Sequence, residues 1–235
     1  TDDAHTVNAS GMERVSRLAF RTAWAVSSSE SPGSFRNESK NESPTDQKRL
    51  HTPHAPLPPR LGIGWPDKFD LETGIPIANV RSGSAAARAG LRIGDKLLSI
   101  DGKTIESIKG FQLAIHAAQS PIQLSVIRDN SDGPFDVQVK LDGSPSRIGF
   151  SWRPDSGDPH AVVITRVTPG SAAMYSGVQV GDHVYQLNGT ALESSQWFLE
   201  RLVNDLGPFK LQVDRQGKCS ELVVEPLPPL EKTDI

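Results

Sequence analysis

The sequence has little of what several classes of protein require. It contains a single cysteine, Cys219, so no internal disulfide can form. Only 6% of its residues are aromatic, and no stretch approaches the roughly 20 apolar residues that cross a bilayer. The 25 basic and 28 acidic residues give a net charge of −3, without a long basic run. We therefore expect a soluble chain whose partners are neither nucleic acid nor a charged membrane surface.

The first 59 residues are poor in apolar side chains. From Ser27 to Pro59 the chain is mainly Ser, Glu, Asn, Lys and Pro, a composition that does not offset its ordering entropy. Residues 11–27 differ, because apolar residues and arginines alternate there at helical spacing. We expect residues 1–59 to be largely disordered, with an amphipathic helix at 11–27. That helix is either a targeting or membrane-surface segment, or one that docks on a domain or frays. The first residue is Thr, which suggests a processed or excised piece.

The remainder of the chain contains one pattern twice. Gly83-Ser84-Ala85-Ala86 returns 87 residues later as Gly170-Ser171-Ala172-Ala173, and Gly94-Asp95 returns as Gly181-Asp182. Because glycine is kept where φ must be positive or where a side chain would clash, the same backbone geometry is predicted twice. We expect one domain at residues 60–142, a second at 147–228, and a C-terminal tail at 229–235. The short connection at 142–146 favours close packing of the two domains.

Each copy follows one scheme of short strands and two helices. In the first copy the pattern predicts helices near 84–89 and 108–118, and in the second near 171–176 and 195–205. Strand-like runs and Gly-bearing turns fill the spaces between them. The expected fold class is mostly β with α, or α+β. Each of the two tandem units is expected to be a partly open β-barrel of five to six strands and two helices.

The combined motif string resembles PDZ domains, in the form found in bacterial envelope proteases of the HtrA type. The resemblance rests on Leu61-Gly62-Ile63, residues 80–95 and Ile100-Asp101-Gly102 in the first copy, and on Gly170-Ser171-Ala172-Ala173, Gly177-Val178, Gly181-Asp182 and Leu187-Asn188-Gly189 in the second. It covers about residues 60–228. The resemblance implies a module that captures C-terminal or extended peptide segments by strand addition.

One peptide groove per domain follows from this resemblance. A glycine between two apolar residues before a strand lets successive N–H groups converge on one anion, so a ligand carboxylate fits there. The implied carboxylate-binding loops are Leu61, Gly62, Ile63 and Ile148, Gly149, Phe150. The implied groove residues are Trp65, Phe111, Ala114 and Ile115 in the first domain, and Trp152, Phe198, Arg201 and Leu202 in the second. The change from Ala114 to Arg201 predicts different ligand preferences.

Two prolines and two arginines lie close to the predicted grooves. Pro66 and Pro154 lack an N–H and interrupt the strands that would pair with ligand, so we expect ligand contacts of three or four residues, especially in the second domain. Arg60 and Arg147 precede the loops. They either add attraction for a ligand carboxylate or are ordinary exposed arginines.

The sequence offers no assembled catalytic or metal site. Ser84 and Ser171 have the position of helix N-caps, and Asp155-Ser156-Gly157 is typical of a turn. We expect a non-catalytic chain without metal or small-molecule cofactor. Its expected partners are polypeptide C-termini or extended segments, together with a protease domain or partner protease. A bacterial cell envelope or periplasmic location is expected. Two alternatives remain: a regulatory fragment of a bacterial protease whose catalytic domain lies outside this chain, and a structural spacer with closed grooves.

Overall fold

The computed structural model describes residues 9–28 and 43–227. The chain divides into two compact units, Thr1–Lys40 and Asn41–Ile235. In these described ranges, no helix has both the length and the apolar character needed to span a bilayer. The expectations for residues 29–42 and for the tail at 229–235 fall outside the described residues.

The described part of the first unit is one helix, α1, at Ala9–Ser27. It occupies the stretch whose periodicity predicts an amphipathic helix. Its large apolar side chains are exposed, and the rings of Phe20 and Trp24 stack with centroids 6.2 Å apart. Arg17 and Glu13 form an ion pair one turn apart.

The first domain of the second unit contains seven short strands and two α-helices. The strands are β1 Ile63–Gly64, β2 Ile75–Pro76, β3 Asn79–Val80, β4 Lys96–Ile100, β5 Lys103–Thr104, β6 Ile122–Ile127 and β7 Phe135–Val139. The helices are α3 Ala85–Arg88 and α4 Ile108–Ala117, with a 3-10 helix at Leu71–Thr73. The main sheet has the order β2-β4-β6-β7, with β5 on β4, and β1 pairs separately with β3. Its core packs Phe111 of α4 against the apolar face of this sheet.

The second domain repeats this arrangement with longer strands. They are β8 Phe150–Pro154, β9 Val162–Val167, β10 His183–Leu187, β11 Thr190–Ala191, β12 Phe209–Arg215 and β13 Lys218–Val224. The helices are α5 Ala172–Tyr175 and α6 Ser195–Asn204. The sheet order is β13-β12-β10-β9-β8, with β11 on β10. The α+β class is confirmed, and the antiparallel sheets stay open because neither strand order closes on itself.

A buried aspartate holds the same place in both domains. Asp95 and Asp182, from the repeated Gly-Asp pair, are completely buried. The Arg128 guanidinium donates to both Asp95 oxygens at 2.6 and 2.8 Å, and that of Arg215 does the same to Asp182. Burial opposes ionisation of Asp95, but the hydrogen bonds from Arg128 and the Arg92 amide outweigh it and lower the pKa of Asp95. Each bidentate pair therefore ties the end of one strand to the loop before another.

The segment before the first domain is ordered against the second domain. Helix α2, at Pro44–His51, is capped by Ser43, whose Oγ accepts the Asp46 N–H at 3.1 Å. Beyond it, the His54 N–H donates to the Thr165 carbonyl at 2.7 Å. Thr165 is the extra residue of a bulge between β8 and β9, so its carbonyl is available. We call residues 44–57 the N-terminal tie.

Two arginines of the second domain complete the attachment of the N-terminal tie. Arg166 donates to the Ala55 carbonyl at 3.0 Å, and Arg153 donates to the Thr52 carbonyl at 2.8 Å and to that of Arg49. The expectation of a largely disordered segment was therefore wrong for these residues. Their composition is polar as described above, but the second domain supplies the hydrogen bonds that order them.

Candidate functional site

The loop before β1 has a backbone conformation that only glycine can adopt at its centre. Gly62 has φ +80°, and a Cβ added there would lie 2.3 Å from the Ser84 Cβ, so only glycine fits. The loop carbonyls are used inside the domain: Leu61 accepts the Ala86 N–H and Gly62 accepts the Arg81 N–H, each at 2.9 Å. The N–H groups of Leu61 and Gly62 donate to no described residue. Two adjacent backbone donors are thus without an acceptor among the described residues.

A cavity of about 320 Å³ adjoins this loop, and we call it the first groove. Six residues implied by the resemblance line it: Leu61, Gly62, Ile63, Trp65, Phe111 and Ile115. The Trp65 and Phe111 rings meet edge to face, with centroids 6.3 Å apart. Ala114 lies outside the cavity and packs on the core of the first domain. Gln112 and His116, which are not among the implied groove residues, line it instead.

A second cavity, of about 310 Å³, lies at the corresponding place in the second domain, and we call it the second groove. Four expected residues line it: Ile148, Phe150, Trp152 and Leu202. Phe198 is completely buried and stacks on Phe150 with centroids 6.2 Å apart. Arg201 lies outside the cavity, with its guanidinium over the Trp197 ring at 5.5 Å. Leu199 and Val203 line the cavity instead.

The positions of Ala114 and Arg201 outside the cavities have one physical cause, the rotational phase of the helix beside each cavity. In both copies the helix presents the same face, since Gln112, Ile115 and His116 correspond to Leu199, Leu202 and Val203 at the 87-residue offset. The face expected from the sequence pattern begins one position earlier along each helix. Three- and four-residue spacing shows that side chains share a helix face, but it does not show which face packs against another element.

The second loop has the same backbone as the first but a different hydrogen-bonding state. Gly149 has φ +84°, and a Cβ there would lie 2.1 Å from the Ser171 Cβ. Its N–H donates to the Ser146 Oγ at 3.0 Å. The corresponding residue in the first copy is Pro59, which carries no hydroxyl. The Gly149 N–H is therefore already bonded within the chain, whereas the Gly62 N–H donates to no described residue.

The strands beside the two grooves also differ. β1 ends at Gly64, two residues before Pro66, whereas β8 continues through Pro154, which pairs in register with Val162. Shortening of the strand is thus greater in the first domain, opposite to the order expected from the prolines. The number of ligand residues that each strand binds stays a prediction.

Arg60 and Arg147 hold helix ends. Arg60 is only 6% exposed, and its guanidinium donates to the carbonyls of Ile115, His116 and Ala118 at 2.5, 3.0 and 2.9 Å. Burial lowers the pKa of Arg60. Arg147 makes the equivalent bonds to the carbonyls of Asp205 and Leu206 after α6. Both arginines bond to carbonyls at or just beyond a helix end, so neither earlier interpretation describes their main contact.

His116 carries a titratable group to the first groove. Its Nε2 lies 2.9 Å from the Pro169 carbonyl, which can only accept, so Nε2 bears a proton. Burial lowers the pKa of His116; the bond to Pro169 opposes this and the nearby Arg60 charge adds to it. The lowered pKa favours the neutral imidazole, whose Nε2 contacts the second domain.

The residues that resemble catalytic fragments have structural roles. Ser84 and Ser171 cap α3 and α5, accepting the N–H of Ala87 and of Met174, each at 3.3 Å. Asp155 closes a turn by accepting the Gly157 N–H at 2.9 Å. Across residues 9–28 and 43–227, no three His, Cys, Asp or Glu side chains converge as metal ligands would.

Comparison with known sequences bears on the family of the two domains. A family model described as PDZ domain matches residues 56–139, and a second model with that description matches residues 136–207. Protease RseP of Yersinia pestis is 26% identical over 163 residues, covering 64% of this chain and 35% of the relative. A probable periplasmic serine endoprotease DegP-like of Halomonas elongata is 28% identical over 159 residues, covering 59% of this chain and 33% of the relative.

A third relative comes from outside the bacterial proteases. Glutamate receptor-interacting protein 1 of Rattus norvegicus is 29% identical over 159 residues, covering 60% of this chain and 14% of the relative. The chain thus spans about a third of the length of each bacterial relative and a much smaller part of the third. The DegP-like relative fits the HtrA-like type that the motifs resemble. With two matching family models over its folded part, the chain belongs to the PDZ domain family, whose members are peptide-binding modules, and it carries two such domains in tandem.

Proposed function

We propose that this chain captures the C-terminal segments of other polypeptides, chiefly in the first groove. The observation that carries the proposal is the Gly62 loop, whose unused Leu61 and Gly62 N–H groups adjoin a largely apolar cavity. A ligand carboxylate accepts from these donors while its chain extends β1 as an added strand. Its last side chain enters between Ile63 and Ile115, which favours an apolar terminal residue.

The second groove has a different preference in this proposal. Because Ser146 already accepts the Gly149 N–H, a terminal carboxylate gains less there. Leu199 and Val203 replace Gln112 and His116 and make the wall more apolar. The second groove therefore takes extended apolar segments with weaker dependence on a free C-terminus.

The test is an amide-shift titration of the full chain with peptides that differ only in a free or amidated C-terminus. Free peptides are expected to shift the Leu61 and Gly62 resonances, and amidation to weaken this binding about tenfold. Gly62→Ala should abolish the preference, because alanine strains φ and clashes with Ser84. Gly64→Ala is the matched control, since its Cβ meets only ordinary contact at 3.5 Å. Equal affinity for free and amidated peptides at this loop would refute the proposal.

A second candidate function is regulation of a protease. It is favoured by the two bacterial relatives, both named as proteases and both about three times the length that this chain spans. In this version the PDZ pair is the non-catalytic recognition part of a bacterial envelope or periplasmic protein. The check is cleavage of a reporter substrate by the full gene product, which a C-terminal peptide should change only while Gly62 is intact. The third candidate, a spacer with closed grooves, is disfavoured by the two cavities.

A further inference from the structure

We propose that the first groove is a composite site, in which the second domain supplies part of the wall and helps to select the ligand. This inference rests on the proposed function of that groove. Thr168 and Pro169 belong to the loop before α5 in the second domain, yet they line the cavity together with Gly62 and Ile115. A peptide in this groove would contact both domains.

One face of α4 makes the contacts that attach the first domain to the second. Lys109, Gln112, Leu113 and His116 are spaced as residues that share a helix face. The Lys109 Nζ lies 5.3 Å from the centroid of the Tyr175 ring, and His116 binds the Pro169 carbonyl. Leu113, although part of the first domain, packs in the core cluster of the second. The helix that walls the first groove is therefore fixed to the second domain along its length.

The second domain also positions a side chain inside the groove. The Tyr175 hydroxyl donates to the Gln112 Oε1. Gly170 has φ +76°, and a Cβ there would lie 2.7 Å from the Gln112 Nε2, so the loop lies directly against this amide. Gln112 lines the cavity, and its orientation is held by residues outside its own domain. Tyr175 is thus a positioning residue for the site.

The second copy shows that this wall is not a general property of the repeat. Leu113 corresponds to Glu200 at the 87-residue offset, and Gln112 and His116 correspond to Leu199 and Val203. Leu199 is 41% exposed and Val203 is 67% exposed. Within residues 43–227 the equivalent face of α6 is thus solvent-exposed, while that of α4 is covered. In the part of the chain that the structure describes, only the first groove acquires a wall from another domain.

The composite wall defines a ligand class. Pro169 adds an apolar ring to a cavity already lined by Leu61, Ile63 and Ile115, so a large apolar terminal side chain is favoured. Since ligand contacts and interdomain contacts share α4, binding in this groove also stabilises the paired arrangement of the domains, and the coupling is reciprocal.

The experiment uses the full chain and a six-residue peptide with a free C-terminal Leu. In the wild type, the amides of Thr168 and Gly170 should shift with the same Kd as that of Gly62. Pro169→Asp should weaken binding about threefold, because the added carboxylate lies within a Debye length of the ligand carboxylate. Pro134→Asp makes the same substitution at an exposed proline in the turn before β7, which lines neither groove, and should leave Kd unchanged.

A second pair of variants tests the positioning of the Gln112 side chain by Tyr175 without adding a charge. Tyr175→Phe releases Gln112 and should reduce the affinity ratio between peptides ending in Leu and in Ala by about threefold. Tyr185→Phe removes a hydroxyl that lies away from both grooves and is the control. The composite site is overturned if the peptide shifts the Gly62 amide without shifting those of Thr168 and Gly170, and if both variants bind peptide as their controls do. The proposed function stays intact in that case. Absence of any shift at Gly62 overturns both.

Discussion

At the scale of single residues, the two copies share a backbone conformation but differ in the hydrogen bonds of their loop N–H groups. Gly62 and Gly149 have nearly the same positive φ and each packs against a helix-capping serine. The difference lies in one neighbour, since Ser146 accepts the Gly149 N–H and Pro59 in the first copy cannot. A single side chain therefore separates the two candidate carboxylate sites.

Ser146→Ala should strengthen the preference of the second groove for a free C-terminus. The change releases the Gly149 N–H, while the Ser146 backbone bond to the His116 carbonyl is retained. We expect the affinity ratio of free to amidated peptide at this groove to rise about fivefold, as one hydrogen bond of about 1 kcal/mol implies. Titration monitored at the Gly149 amide measures it. An unchanged ratio would show that this donor does not face the ligand.

Asp95→Asn should destabilise the first domain strongly. The variant leaves the Arg128 guanidinium without a buried anion, at a cost of about 3 kcal/mol of unfolding free energy. Because the folded-state pKa of Asp95 is lowered, its contribution is present above the ordinary pKa of 3.8 and is lost as pH falls through the folded value. Urea unfolding at neutral pH and under acid conditions measures both effects.

Asp142→Asn provides the comparison for this prediction. Asp142 pairs with Arg88 at the surface, where the Arg88 and Asp142 side chains are 51% and 37% exposed. Its loss should cost less than about 1 kcal/mol. If the two variants were equally stable, the buried pair would have no special role.

At the scale of elements, tertiary contacts determine two features that the local sequence does not: the rotational phase of α4 and the order of the N-terminal tie. The apolar residues of α4 predict a helix correctly, and Ser107 caps it by accepting the Gly110 N–H at 2.9 Å. Its rotational phase depends on which surfaces meet it, so Ala114 rather than Gln112 was expected in the groove. In the tie, the open Thr165 carbonyl and two arginines order a segment whose composition favours disorder.

Acidification should release the N-terminal tie. The His54 Nδ1 lies 2.8 Å from the Thr165 hydroxyl, and burial, then the charges of Arg153 and Arg166, lower the pKa of His54. The unfolded or released form therefore binds protons more readily. Docking is complete above the ordinary pKa of 6.5 and weakens as pH falls below it towards the folded value.

Hydrogen exchange at the His54 amide, corrected for its intrinsic pH dependence, measures this release. The protection factor should fall between pH 7 and pH 5.5 in the wild type. His54→Gln keeps the backbone donor without a titrating imidazole, so its protection should be nearly independent of pH. Equal pH dependence in both proteins would contradict the prediction.

At the scale of the whole molecule, the decisive feature is a difference between the two corresponding helices. One face of α4 packs on the other domain, whereas the same face of α6 is exposed. Leu113 is 7% exposed and packs in the core cluster of the second domain, whereas its counterpart Glu200 is exposed on α6. The pair of domains is held by this contact, by the neighbouring polar bonds of α4 and by the N-terminal tie. Their arrangement is therefore part of the fold and not only a consequence of a short connection.

Leu113→Glu, which copies the residue of the second helix, should separate the domains without unfolding them. It removes about 2 kcal/mol of apolar burial and places a charge in the interface. Small-angle scattering should show a larger radius of gyration, and 15N relaxation should show two domains that tumble separately. Glu200→Gln changes the matched exposed position and should alter neither quantity. An unchanged radius for Leu113→Glu would contradict the role assigned to this contact.

The sequence by itself determined what depends on local backbone geometry: two copies, their positive-φ glycines, the serine caps and the α+β class. These features follow from sterics and hydrogen bonds within a few residues. The tertiary structure decided which face of α4 lines the groove, that Arg60 holds a helix end, and that the polar segment at 44–57 is ordered. It also brought Thr168 and Pro169 to a groove in another domain. These outcomes required knowledge of which surfaces meet, because packing between distant segments, and not propensity, selects among conformations that local sequence allows.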